Sequence, residues 1–183
     1  MRSQLLVTSI GEDRPGIVAH LTEVFVAHGA NLEESRMAIL GGEFAAIMLV
    51  SVADANLPAL EKDLAKLQSE GIAASCRKTA NQNQSRFKDF GHFEISLKGA
   101  DHEGIVHKVS TYLRDQSINI QSVETMVVHA PITGSPLFQM KAVVQVPPSL
   151  SAADLRKNLN KIADEESVDI DLSETQKVVV AVS

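Results

Sequence analysis

Apolar and polar positions alternate in two rhythms along this chain, and the same order of rhythms occurs twice. Residues 4–10 (Gln4-Leu5-Leu6-Val7-Thr8-Ser9-Ile10) are apolar on both faces and predict a central strand closed by Gly11. Ile17, Val18, Leu21, Val24 and Phe25 then recur at helical spacing, predicting a helix from Pro15 to His28. Pro15 suits the first turn of that helix, and Gly29 suits its end. Residues 30–40 predict a second strand, Gly41-Gly42 a tight hairpin, and residues 43–52 a third strand. Phe44 to Val50 is apolar on both faces, so helices on one face leave the other in need of cover. Leu57, Leu60, Leu64 and Leu67 mark one side of a helix over 57–70, and residues 72–78 form a fourth strand. The order is β-α-β-β-α-β.

The second half repeats this order. Strand 92–98, helix 103–116 and strand 118–129 follow their first-half counterparts at a spacing of 88 residues, with Ile105, Val106, Val109, Tyr112 and Leu113 as the helix stripe. About seven residues are inserted at the hairpin, where Ala130 to Pro136 replaces Gly41-Gly42. Strand 137–146 then precedes a helix over 152–165 and a strand over 168–172. Residues 79–91 are polar and without period, as expected of a linker. Lys177 to Val182 has strand composition and no first-half counterpart, and is expected to cover a sheet edge. The expected organisation is a first domain over 1–79, a linker over 80–91, a second domain over 92–174 and a tail over 175–183.

Composition narrows the function. The net charge of −6, the absence of any Lys/Arg block and an aromatic content of 4% argue against direct nucleic-acid binding. The longest apolar stretch is too short to cross a bilayer, so no membrane association is expected. The single cysteine, Cys76, and a start that passes straight into a strand point to a reducing, cytoplasmic setting. Halves of 80 to 90 residues bury a modest core, so each is expected to lean on its twin or on a partner, a homodimer being one form.

The candidate chemistry lies in the two strand-to-helix turns. The first is Gly11-Glu12-Asp13-Arg14-Pro15-Gly16-Ile17-Val18, and the second is Gly99-Ala100-Asp101-His102-Glu103-Gly104-Ile105-Val106. Such a turn aims backbone N–H groups at one spot, which suits a small anionic or polar ligand. Each residue also has a plainer role. Asp13 and Asp101 would cap their helices, Gly16 and Gly104 would let helix and sheet pack closely, and Asn31 and Asn119 would close turns. Arg14 lies where an anion could be met but has no twin in the second turn, where His102-Glu103 replaces Arg14-Pro15, and a solvated side chain is the expectation for it. No nucleophile motif, phosphate loop or dinucleotide fingerprint occurs, and the six His have no metal-ligand spacing, so neither catalysis nor a metal is expected.

A Gly-x-Asp-x-Pro-Gly-like turn in a β-α-β-β-α-β module, with Asn opening the second strand, resembles the ACT domain. The resemblance implies an α+β protein of two ferredoxin-like modules, each an antiparallel sheet with helices on one face, that senses amino acids without a cofactor. Two such modules alone resemble the glycine cleavage system transcriptional repressor family, which implies glycine as signal and a DNA-binding activator as partner. By the same resemblance the ligand meets Gly11, Asp13, Arg14, Gly16, Ile17 and Asn31 in the first module. In the second it meets Asp101, His102, Gly104, Ile105 and Asn119, often where two modules adjoin. Two alternatives stay open: a ligand-independent interaction module, and a small ferredoxin-like hydrolase of acyl phosphates built around Arg14.

Overall fold

A computed structural model describes residues 1–79, 86–129 and 134–175. The chain divides into two compact units, residues 1–82 and 83–183. The apolar tail 177–182, linker residues 80–85 and hairpin residues 130–133 lie outside the described residues.

In the first unit, β1 (Arg2–Glu12) leads to α1 (Ile17–Ala27), β2 (Asn31–Leu40), β3 (Glu43–Ala53), α2 (Leu57–Lys66) and β4 (Ile72–Lys78). A single 3-10 turn, Leu67–Glu70, prolongs α2 up to Gly71, whose φ of 82° ends it. The strands pair antiparallel in the order β2-β3-β1-β4. In the second unit, β5 (Gly91–Ala100), α3 (Ile105–Asp115), β6 (Asn119–His129), β7 (Pro136–Val146), α4 (Ala152–Glu166) and β8 (Val168–Glu174) give the same order, β6-β7-β5-β8. Both are βαββαβ folds. The register shows where the second copy grew: Gly11 pairs with Phe44 and Gly99 with Phe138, so the spacing is already 94 beyond the hairpin. The one residue still missing from the offset of 95 enters between β7 and α4.

Each core forms between the helices and one sheet face, as a layered architecture requires. In the first unit Leu5 and Val7 of β1 and Phe44, Met48, Val50 and Val52 of β3 meet Ile17, Leu21 and Phe25 of α1 and Leu60 and Leu64 of α2. In the second, Ile95, Leu97, Met140 and Val144 meet Ile105, Val109 and Leu113 of α3 and Leu155, Leu159 and Ile162 of α4. The period of two along a strand gives the opposite residues to the other face. Among the described residues no helix covers that face in either unit, so the expectation that β1 is buried on two sides fails within the unit: Leu6 is half-buried and Ile10 is exposed. The outward row of the strand 137–146 is different in character. Outward along β7 stand Gln139, Lys141, Val143 and Gln145, a mostly polar row.

Candidate functional site

The two turns share a backbone. Gly16 and Gly104 occupy the helix N-cap positions with φ of 94° and 96°, a left-handed conformation that side chains with a Cβ avoid. This corrects the packing role expected of them, because a Cβ on either would meet nothing within 4 Å. Close packing belongs to Gly11 and Gly99 instead. A Cβ on Gly11 would lie 2.5 Å from the Gly71 carbonyl oxygen, and one on Gly99 would lie 2.3 Å from Val168 Cγ1. These glycines let β4 and β8 start hard against the end of the central strand.

The expected aspartate caps are also corrected. Neither α1 nor α3 has a side-chain cap hydrogen bond. The Asp13 and Asp101 side chains are exposed, and their backbone N–H groups tie the turns to the hairpins by donating to Gly42 O (2.9 Å) and Pro136 O (3.4 Å). With no side-chain cap on α1 or α3, the first-turn N–H groups keep anion-binding capacity, Ile17 N–H being partly engaged by Arg14 O at 3.4 Å. The Ile17 and Ile105 side chains are 4% and 2% exposed and belong to the cores, so only their main chains can face a ligand.

Arg14 and His102 are true counterparts, although one is a guanidinium and the other an imidazole. Arg14 Nη2 donates to Glu70 O at 2.7 Å, and His102 Nε2 lies 3.2 Å from Glu166 O. Both therefore engage the last carbonyl of the second helix, where the helix dipole favours a positive group. A second basic side chain joins each: His20 Nδ1 lies 3.0 Å from Glu70 Oε2, and Lys108, 88 residues on, bonds Glu166. Lys108 also pairs with Glu165 at 2.8 Å, which raises the Lys108 amine and lowers the Glu165 carboxyl from their ordinary values. The turn is thus clamped to the end of the second helix in both modules. The clamp keeps its reach while changing residue type, so the equivalence of Arg14 with His102 and of His20 with Lys108 is not visible in the paired turns of the sequence.

Asn31 and Asn119 open β2 and β6 rather than closing turns, and neither lies near its own turn. Asn31 pairs with Ser51, which pairs with Gln4 of β1, seven residues before Gly11. Asn119 stands likewise in the row of Gln145 and His92, seven residues before Gly99. At about 3.3 Å per residue the separation is roughly 23 Å, far longer than any amino acid. The two differ in bonding as well. Asn119 Nδ2 donates to Gln145 Oε1 at 2.7 Å, whereas Asn31 is exposed and its amide has no partner among the described residues. At Ser51 that partner role is filled by Arg2, which donates to its carbonyl at 2.8 Å.

A depression of about 420 Å³ lies beside the second turn, lined by Glu103, Gly104, His107, Lys108, Thr111 and Glu166. It is an acidic and basic mixture on the outer side of α3, and Asn119 takes no part in it. Among the described residues no group of three or more His, Cys, Asp and Glu is placed to hold a metal, and no helix is long and apolar enough to cross a membrane.

Comparison with known proteins fits this geometry. Residues 3–75, the first module, match the model of the ACT domain. A UPF0237 protein of Methanopyrus kandleri is 41% identical over 70 residues, which cover 37% of this chain and 78% of that protein. The glycine cleavage system transcriptional repressor of Escherichia coli is 51% identical over 47 residues, a span of only 26% of this chain and 25% of the repressor. Among solved structures, an unknown protein from Galdieria sulphuraria superposes with a TM-score of 0.80 at 34% identity, covering 96% of this chain and all of that one. A structure provisionally named as a glycine cleavage system transcriptional repressor gives a TM-score of 0.70 at 20% identity over 97% of this chain and 99% of that one, a likeness of fold. The chain belongs to the ACT-domain family, its first module by direct match and its second by the same βαββαβ fold.

Proposed function

We propose that this chain is a non-catalytic, cytoplasmic regulator that senses a small amino acid, glycine first, and acts through a DNA-binding activator to restrain glycine cleavage genes. The observation that carries the reading is the first turn. Its left-handed Gly16 carries no Cβ and α1 has no side-chain cap, so apart from Ile17 N–H, which makes a long bond to Arg14 O (3.4 Å), the first N–H groups of α1 are open to an amino-acid carboxylate. The stretch of 51% identity with a glycine cleavage repressor supports the particular ligand and pathway. The acidic balance of the chain supports action through a protein rather than on DNA.

The separation of turn and Asn31 sets a condition on this reading: one module cannot close the site alone. β2 is an edge strand. Antiparallel pairing with β2 of a second copy would set Asn31 of one copy opposite Leu40 of the other, beside the hairpin that holds Asp13. The ligand would then lie between a turn from one copy and an amide from its partner. The first module is favoured as the binding one. Its Asn31 amide is free among the described residues, while Asn119 is engaged by Gln145 and the second turn carries Glu103.

The alternatives are weaker on the same geometry. A hydrolase would need Arg14 for phosphate, but that guanidinium is committed to Glu70 O. An interaction module without ligand leaves the open first turn unexplained. Calorimetry across the amino acids tests the proposal. Glycine is expected to bind the wild type, and Asn31→Ala is expected to weaken binding at least tenfold with Asn119→Ala unchanged. If no amino acid binds at millimolar concentration, sensing is wrong and the interaction-module reading takes its place.

A further inference from the structure

The open sheet faces of the two modules share a backbone and differ in chemistry. In the second module the outward residues of β5 and β7 include Glu94, Lys98, Gln139 and Lys141, with Lys141 Nζ 3.0 Å from Glu94. At the corresponding positions the first module has Leu6, Ile10, Ala45 and Ile47. Ile10 is 52% exposed and Ile47 44% exposed. At these central-strand positions one copy has charged and polar side chains and the other apolar ones, although Met126, Leu137 and Val143 also stand on the second module's face. An apolar face of this kind in a chain marks an interaction surface.

The register arranges that face in rows. Glu34, Leu49, Leu6 and Arg77 form one row across β2, β3, β1 and β4. Arg36, Ile47, Thr8 and Ser75 form the next, and Ala38, Ala45, Ile10 and Ala73 the third. The apolar residues occupy the two central strands, and the charges stand at the edges with opposite sign in one row. Arg77 is exposed and makes no ion pair among the described residues.

The geometry points to a second copy of this same face as the occupant, packed sheet on sheet about a two-fold axis parallel to β1. Such an axis turns each row onto itself in reverse. Leu6 then faces Leu49 of the partner, and Arg77 faces Glu34 of the partner at both ends of the row. A two-fold contact needs this self-complementarity, because one patch must serve both sides. An axis across the strands would set the first row against the third and leave both charges facing alanine. Two flat sheets pack face to face about 10 Å apart, a spacing that leucine and isoleucine side chains fill from both sides. The acidic outermost row, Glu43 with Glu12, marks where the contact ends. This face is distinct from the main-chain edge of β2 invoked for the ligand, although Glu34 lies on that strand, so calorimetry with glycine on the Leu6→Glu, Ile47→Lys variant separates the two: binding retained after the face contact is lost leaves the sensing proposal standing.

The test gives the first module the second module's solution. Leu6→Glu with Ile47→Lys installs the residue pair that Glu94 and Lys141 form, so a folded, soluble variant is expected, verified by circular dichroism. Light scattering and sedimentation of the full chain are expected to show that its molar mass falls by half relative to wild type. Glu34→Arg alone is expected to weaken the association, and Glu34→Arg with Arg77→Glu to restore it. A wild type that stays monomeric at micromolar concentration overturns the inference. So does a folded Leu6→Glu, Ile47→Lys variant of unchanged mass, and so does a charge reversal that fails to restore association.

Discussion

Single residues in this protein do work that their type alone does not announce. Gly11 and Gly99 are needed for space, Gly16 and Gly104 for backbone conformation, and the two kinds predict different mutants. Gly16→Ala should cost about 1–2 kcal/mol, the cost of holding a Cβ in the left-handed region. Gly99→Ala should cost about 1–3 kcal/mol through overpacking on Val168, and Val168→Ala should recover part of it. Gly11→Ala should have no such rescue, since its Cβ would strike the Gly71 main chain. Denaturant midpoints of these four variants check this. The asparagines separate in the same way. Asn119→Ala strands the buried Gln145 amide and should cost about 1–3 kcal/mol. Asn31→Ala, with no bond to lose, should leave stability within about 0.5 kcal/mol of wild type.

At the scale of elements, the clamp between turn and second-helix end is the feature with a pH signature. Hydrogen bonding from Lys108 holds the Glu165 carboxyl below its ordinary value of 4.5. A depressed carboxyl contributes stability above its unfolded value and loses it as pH falls through the folded one. The same contacts, Glu165 first and Glu166 second, raise Lys108 above 10.5, a contribution present below that value and lost as pH rises past the folded one. The second module should therefore lose stability below about pH 4.5 and again above about pH 10.5. Lys108→Met should flatten both limbs in denaturant titrations followed across pH. In the first module Asp63 is lowered from 3.8, by Lys66 foremost and then His28, so acid loosens the α1–α2 contact there too.

For the whole molecule, the two cores share no residue, and each is built from one half of the chain. Two separate cores predict unfolding that departs from a single two-state transition. Gly11→Ala should lower the first module's transition alone and Gly99→Ala the second's alone, a result calorimetry can read directly. Saturating glycine should raise only the first. At a hundred times its Kd a ligand adds about 2.7 kcal/mol, a shift of several degrees for a chain of this size. A second module that responds to glycine equally would contradict the assignment of sensing to the first turn.

The sequence by itself determined the repeat, the order of elements and most core residues, because helical and strand periodicities are local and survive changes of residue type within the apolar class; Val18 and Val106, counted in the helix stripes, are exposed instead. Leu5, Leu21, Leu60, Ile95 and Leu155 are buried where the pattern puts them. It also located both turns through their paired glycines. Only the tertiary structure decided what the turn residues do. Whether a glycine serves space or φ depends on β4 and β8, which arrive more than 55 residues later. Arg14 with His102, and His20 with Lys108, are equivalent only through Glu70 and Glu166, so no local comparison pairs them. The distance between a turn and its asparagine is a property of register: α1 and α3 carry the chain back along the sheet, so β2 and β6 begin at the end opposite the turn. Periodicity fixes which face a residue takes, and register fixes which residues can meet.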